Sequence, residues 1–162
     1  MRWQFDTLYI GVLCIGLLFL LSCEPDKTCH QDMQATMIVT LRADSTDAQG
    51  NKHTYDAWDS LYVQGVGAMD VLYSPQSIKQ LGICLRPDTT ETAFLMLYHG
   101  QVDTLTVTHT PSLHYVSLSC GCAVYHTITA ARSSDERVDS VTIINANIET
   151  TAQENIRIYL SE

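Results

Sequence analysis

The sequence contains no cluster of lysine and arginine residues. Only 9 of its 162 residues are basic against 18 acidic ones, which gives a formal net charge of −9. Proteins that bind nucleic acid use basic clusters to attract phosphate groups, so this composition excludes that class of partner. An anionic membrane surface would repel the chain for the same reason, and membrane attachment would have to come from a hydrophobic anchor.

The motifs that identify the common enzyme classes are also missing. There is no Gly-x-Ser-x-Gly nucleophile elbow, no glycine-rich loop that would cradle a phosphate, and no His-Glu-x-x-His metal site. Ser117 and Ser119 lie beside histidines in the sequence, but such proximity is no evidence for a catalytic triad. The sequence therefore predicts a protein that is not an enzyme and that has no cofactor.

Helical periodicity is the third absence. From Thr36 onward no stretch sustains apolar residues at i, i+3 and i+4, whereas Thr, Val, Ile and Tyr are frequent and turn residues recur at short spacing. In the clearest strand, Leu105 and Val107 alternate with threonines, and the strand before it ends at the turn His99-Gly100-Gln101. The predicted strands are 35–43, 58–66, 69–73, 82–86, 92–99, 102–110, 113–119, 122–130, 138–146 and 154–160.

Ten short strands with tight turns predict an all-β fold. We expect a two-sheet antiparallel β-sandwich of the immunoglobulin-like type, formed by a single domain over residues 35–162. Ser74 as a cap, followed by proline and later by Gly82, predicts one short helical turn. Residues 44–56 are polar and predict the longest exposed loop.

One long apolar run, Leu8–Leu21, is followed directly by Ser22 and Cys23. A transmembrane helix needs about 20 apolar residues, so this run is short for a span. A short apolar run closed by a small residue and a cysteine is typical of a bacterial lipoprotein signal. We expect cleavage before Cys23 and lipidation of its thiol; an uncleaved membrane anchor is the alternative.

The lipoprotein signal predicts the order of segments and the compartment. Residues 1–22 are the expected signal peptide, and residues 23–34 are a polar lipidated tether that precedes the domain. The protein would then lie in the cell envelope, held by the lipid on Cys23. We expect an outer-membrane protein that faces the periplasm, with exposure at the cell surface as the alternative.

Four further cysteines, Cys29, Cys84, Cys120 and Cys122, predict two disulfides, because extracytoplasmic cysteines usually pair. On an unbroken strand Cys120 and Cys122 would lie about 7 Å apart, too far for a relaxed bridge between them. Each therefore needs a separate partner. Cys29–Cys120 and Cys84–Cys122 are the favoured pairs, the second helped by a bulge at Gly121 that would turn Cys122 outward.

A metal-binding or redox function is the alternative interpretation of the same residues. Cys120, Cys122 and nearby histidines include ligands suited to copper(I) or zinc. Against it, the sequence has no Cys-x2-Cys partner, and His109 and His114 lie on a predicted strand-turn-strand, where their spacing does not place them on one face. The histidines concerned are His99, His109, His114 and His126.

Several segments of the second half of the chain resemble one group of proteins. The segments are 103–119, Cys120-Gly121, 138–148 and 154–159, with weaker agreement at Cys29, 59–61 and 83–87. They resemble small uncharacterised lipoproteins of Bacteroidetes that are classed as a domain-of-unknown-function family. Asn145, Asn147 and Asn155, which frame two strands, are a fairly specific part of the resemblance.

The resemblance implies a disulfide but no activity. Members of that family carry a cysteine soon after the lipidated one and a Cys-Gly before a late strand, which match Cys29 and Cys120. Cys84 and Cys122 depart from the family pattern together, which suggests that they pair. The sequence as a whole predicts a monomeric, non-enzymatic, lipid-anchored module that binds a protein or a glycan.

Three aromatic residues near the predicted long loop are Tyr55, Trp58 and Tyr62. They would either stack on a sugar or pack into the core.

Overall fold

The computed structural model describes Cys29 and residues 33–46, 48–50, 52–55, 58–134 and 137–160. The predicted signal peptide, Cys23 and most of the predicted tether lie outside these residues. The described part of the chain is all-β, and no helix in it is long and apolar enough to span a membrane. Its strands are β1 (Met37–Thr46), β2 (Lys52–Tyr55), β3 (Trp58–Gly65), β4 (Val71–Ile78), β5 (Gln80–Ile83), β6 (Glu91–Tyr98), β7 (Gln101–Ser117), β8 (Gly121–Arg132), β9 (Val138–Ile143), β10 (Asn147–Ile148) and β11 (Glu154–Leu160).

The strands form two sheets, which confirms the predicted all-β, two-sheet architecture. One sheet has the order β2-β1-β11-β9, with β5 also paired to β1, and the other has the order β10-β8-β7-β6-β3-β4. One pair differs from the antiparallel expectation, because β1 and β11 run parallel. A parallel pair needs a long connection between its strands. Here the connection between β1 and β11 includes all the strands of the other sheet. The immunoglobulin-like type stays a prediction.

A single hydrophobic core lies between the two sheets and makes them a sandwich. Alternate residues of β6 and β7 point into it, as the period of two requires. Leu105 and Val107 are fully buried, while the threonines between them are partly exposed, as predicted. The five-stranded sheet contributes Met37, Val39, Leu41, Leu81, Ile83, Val138, Ile156, Ile158 and Leu160, and the six-stranded sheet Leu61, Val63, Ile78, Phe94, Met96, Leu105, Val107, Ile128 and Ile148.

The predicted hairpin between β6 and β7 is present, with a shorter turn than expected. Tyr98 pairs with Gln101, so only His99 and Gly100 form the loop, and both have positive φ, 47° and 80°. Two consecutive positive φ angles are the requirement of a type I′ turn, whose twist matches that of the flanking strands. Glycine meets this requirement without strain at the second position.

The predicted helical turn after Ser74 is wrong, because the chain there forms β4 and β5. Pro75 is tolerated since β4 is the outer strand of its sheet, one of the few places where proline occurs within a sheet. The Tyr73 hydroxyl accepts a hydrogen bond from the Gly82 N–H (2.8 Å) and donates one to its carbonyl (3.0 Å). The predicted loop 44–56 also contains a strand, β2, which pairs with the end of β1.

Two predicted strands, 102–110 and 113–119, are one long strand, β7, that continues through Pro111. The N–H of His109 bonds to the carbonyl of Thr90, the last contact between β7 and the β6 side. Alternate residues point their N–H the same way, so the nitrogen of Pro111 faces the side where no neighbouring strand follows. Residues 111–125, the outer part of the β7–β8 hairpin, extend beyond β6, and we call them the arm.

Candidate binding site

A polar pocket of about 240 Å³ lies where the loops around β10 meet the start of β11. Amide, hydroxyl and carboxylate side chains surround it, with very little apolar surface. The lining residues are Asn145, Asn147, Glu149, Thr151 and Gln153.

The side chain of Asn155 fixes the loop that lines this pocket. Its side chain is only 2 % exposed, and its Nδ2 donates to the carbonyls of Asn145 (3.1 Å) and Asn147 (2.8 Å). Its Oδ1 accepts from the N–H of Ile38 on β1 (2.9 Å). One buried amide therefore joins the pocket loop to the centre of the five-stranded sheet. Both of its N–H groups and its oxygen form hydrogen bonds within the fold.

The loop that carries the pocket is fixed further by its own side chains. The Asn145 Oδ1 accepts from the N–H of Asn147 (3.0 Å), and its Nδ2 donates to Gln153 Oε1 (3.0 Å). By contrast, the side chains of Asn147, Glu149 and Thr151 form no hydrogen bond within the described part of the chain. These three groups are therefore available to a ligand in a loop that is already ordered.

The chemistry of the lining matches a hydroxylated ligand. A side-chain amide offers both donors and an acceptor, a hydroxyl does the same, and a carboxylate accepts strongly. Small-molecule pockets are usually about 300–1,000 Å³ and mostly apolar, so this one suits a single small polar unit such as one sugar ring. The sequence pointed to Asn145, Asn147 and Asn155 through the family resemblance, but it gave no sign that they surround a cavity.

The predicted disulfide between Cys29 and Cys120 is confirmed, with 4.7 Å between the two Cα atoms. It joins the segment before β1 to the turn at the end of the arm. Gln34 forms an isolated parallel bridge with Val124, so the same segment runs beside the outer edge of β8. The bridge therefore pins the entrance of the chain to the six-stranded sheet, as expected.

The predicted bridge between Cys84 and Cys122 is wrong, because both are exposed free thiols. Cys84 lies between the inward-facing Ile83 and Leu85, so it points away from the core, where its sulfur lies 3.8 Å from Thr36 Oγ1. Gly121 has a positive φ of 77°, but it pairs with Ser117, and the extra residue at the nearby register shift is Val116 on β7; Cys122 is exposed. It faces solvent on the other sheet, however, instead of meeting Cys84.

The structure does not gather the predicted metal ligands into one site, although two of them, His109 and His126, lie in contact. His99 lies in the β6–β7 turn, His114 stacks on Tyr125 with 4.6 Å between ring centroids, and Cys120 is oxidised. Across the residues that the structure describes, no group of three or more His, Cys, Asp or Glu side chains could hold a metal ion. The metal and redox interpretation thus has no assembled site in this part of the chain.

Two of the histidines, His109 and His126, form a buried pair that the sequence analysis missed. Their Nδ1 atoms are 3.1 Å apart, and His109 Nε2 is 2.9 Å from Thr92 Oγ1. Burial lowers the pKa of both rings, and the charge of His109 would lower that of His126 further. Both rings are therefore neutral at pH 7, one Nδ1 donating to the other. His109 follows Leu105 and Val107 at the next alternate position of β7, so the period of two already indicated that its ring points into the core.

The predicted aromatic platform for a sugar is only partly visible. The side chains of Tyr55 and Trp58 lie outside the described residues. Tyr62 is half-buried, and its hydroxyl donates to Gln64 Oε1 at 3.4 Å.

Comparison with known proteins yields one match. The model of a protein family of unknown function, DUF6452, matches residues 60–160, from β3 to the end of β11, including every residue that lines the pocket. No curated protein matches the chain. No solved structure matches it either.

Proposed function

This chain belongs to the DUF6452 family, which has no known function, and we propose that it is a non-enzymatic, lipid-anchored module of the cell envelope that binds a glycan. The polar pocket carries this proposal. It presents the amide of Asn147, the carboxylate of Glu149 and the hydroxyl of Thr151, and very little of its lining is apolar. Such a lining favours a ligand that is rich in hydroxyl groups over an apolar or a polyanionic one.

Envelope location and anchoring rest on the sequence. The run Leu8–Leu21 followed by Ser22 and Cys23 predicts lipidation at Cys23, and the lipid would hold the protein at the outer membrane, facing the periplasm. The disulfide between Cys29 and Cys120 supports an oxidising compartment. An acidic chain has no electrostatic attraction to anionic lipid, so the acyl chains would supply the attachment.

Glycan binding is tested with the purified full chain. It is screened against an array of bacterial envelope and host glycans, and each hit is titrated by calorimetry against wild type, Asn147→Ala and Glu149→Gln. Loss of one or two hydrogen bonds should weaken binding by roughly tenfold in each pocket variant, since about 1.4 kcal/mol corresponds to that factor.

Asp139→Asn is the matched control for Glu149→Gln. It removes one negative charge from an exposed position on β9, outside the pocket lining, and should leave glycan affinity unchanged. Equal affinity of the pocket variants and the wild type would exclude the pocket as the binding site. Turnover of a glycan instead of simple binding would contradict the non-enzymatic assignment.

A further inference from the structure

Most of the β7–β8 hairpin is free of charged side chains, in contrast to the rest of the protein. Residues 104–131 contain no Asp, Glu, Lys or Arg, although the whole chain has a net charge of −9. The arm thus has no carboxylate that anionic lipid headgroups would repel, and no formal charge that would lose its hydration at a membrane surface.

The arm also exposes three large apolar or aromatic side chains. On β7 the face that carries Leu105, Val107 and His109 is buried in the core, and Leu113 and Tyr115 continue the same face. In the arm this face is no longer covered, so Leu113 is 74 % and Tyr115 59 % exposed. Leu118, in the turn at the end of the arm, is 98 % exposed. We call Leu113, Tyr115 and Leu118 the arm patch.

The disulfide places this patch close to the predicted lipid anchor. Cys29 is bonded to Cys120, only two residues from Leu118. Cys23 precedes Cys29 by six residues, which reach about 21 Å when fully extended and about 14 Å as a flexible coil. A lipid on Cys23 would therefore hold Cys29, and with it the end of the arm, within about 21 Å of the bilayer surface.

We infer that the end of the arm inserts the arm patch into the interfacial region of the bilayer that holds the lipid of Cys23. This inference rests on the lipid anchor of the proposed function. Apolar side chains at membrane surfaces penetrate about 5–10 Å, and tyrosine favours the headgroup level, as Tyr115 would here. The acyl chains keep the protein at the membrane, and the arm patch fixes its orientation.

The inferred orientation keeps the pocket accessible. β10, which carries Asn147, pairs with β8 at His126 and Thr127, at the base of the arm. Six strand residues separate His126 from Cys120, a distance of about 20 Å along the strand. With the end of the arm at the bilayer surface, the pocket stands off the membrane and faces the aqueous compartment.

The inference is tested by tryptophan fluorescence on the full chain, made in a lipidating bacterial host. The protein is reconstituted into vesicles of phosphatidylethanolamine and phosphatidylglycerol, with and without lipid brominated in its acyl chains. Leu118→Trp probes the end of the arm. Val102→Trp is the matched control, because Val102 is an exposed apolar residue (49 %) on the same strand near the opposite end of the sheet.

The fluorescence of the wild-type protein is subtracted first. Brominated lipid should then quench the introduced tryptophan of Leu118→Trp several-fold more than that of Val102→Trp. The emission of the tryptophan in Leu118→Trp should also be blue-shifted. Equal quenching in membrane-bound protein would overturn the inference while leaving the anchor intact, and a protein partner would then be the occupant of the patch. Wild-type protein that does not fractionate with membranes, or a Cys23→Ser variant that still does, would refute the anchor itself and the inference with it.

Discussion

Replacing Asn155 should cost more stability than any other single polar substitution near the pocket. Asn155→Ala leaves the buried N–H of Ile38 without its acceptor, and it leaves the carbonyls of Asn145 and Asn147 without their donor. A buried donor left unsatisfied costs about 1–3 kcal/mol, whereas carbonyls near the surface can recover a bond to water. We therefore expect a loss of about 3 kcal/mol, or about 10 °C in Tm for a domain of this size.

The isosteric variant Asn155→Asp separates hydrogen bonding from packing. One carboxylate oxygen can still accept from the N–H of Ile38. The other replaces the NH2 group and would face the carbonyl oxygens of Asn145 and Asn147 without a hydrogen to donate. At neutral pH it should be less stable than Asn155→Ala, because a buried charge meets two acceptors. Its folded-state carboxyl pKa would be raised, so stability should recover as pH falls and the group becomes protonated.

Thermal unfolding followed by circular dichroism, together with urea titration at 25 °C, measures both effects. Asn147→Ala is the control, since that side chain forms no hydrogen bond in the described structure and should change stability by less than about 0.5 kcal/mol. A loss below about 1 kcal/mol in Asn155→Ala, or an Asn155→Asp variant more stable than it at pH 7, would refute the reasoning.

Two further predictions concern the disulfide and the histidine pair. Cys29→Ser and Cys120→Ser should each lose up to about 4–5 kcal/mol, the chain-entropy value for a sequence separation of 91 residues, and the double variant should lose little more; additive losses would contradict the pairing. Burial lowers the folded-state pKa of His109 and His126 below the unfolded value of about 6.5. Their contribution to stability is therefore complete above about 6.5 and is lost as pH falls from there through the lower folded-state pKa. Urea titrations between pH 7.5 and 5.5 should show this decline, with a shallower slope in His126→Gln; an unchanged slope would argue against the buried neutral pair.

Local patterns predicted the strands well where one face is apolar and the other polar. The alternation around Leu105 and Val107, and the Ile156, Ile158, Leu160 face of β11, needed no knowledge of neighbouring strands. The segment that begins at Ser74 was misread because its local signals, a cap and a proline, suit a helix equally well. Pairing with other strands decided the outcome, and a local pattern does not contain that information.

The binding site was harder to predict than the fold. Asn145, Asn147 and Asn155 stood out as a group, yet asparagines near strand ends most often form turns, and only the folded loop shows that three of its side chains remain unused. The Cys29–Cys120 bridge was favoured because Cys120 and Cys122 are too far apart on a strand to bridge each other and because the family resemblance implies it. Cys84 was assigned a bridge although its position between Ile83 and Leu85, which point inward, directs it away from the core. Parity within a strand was therefore a better guide than the number of cysteines.

The parallel pairing of β1 with β11 has a consequence for how the protein folds. Ile38 pairs with Glu154, and Ala43 with Leu160, so the centre of one sheet joins two segments more than a hundred residues apart. The hairpins from β6 to β8 can form among near neighbours, but the pairing of β1 with β11 has to wait until the final strand is available. Such high contact order is typical of folding in milliseconds to seconds. During that time the edge of β1 that faces β11 lacks its partner strand, and only its pairs with β2 and β5, which lie nearer in the sequence, can form.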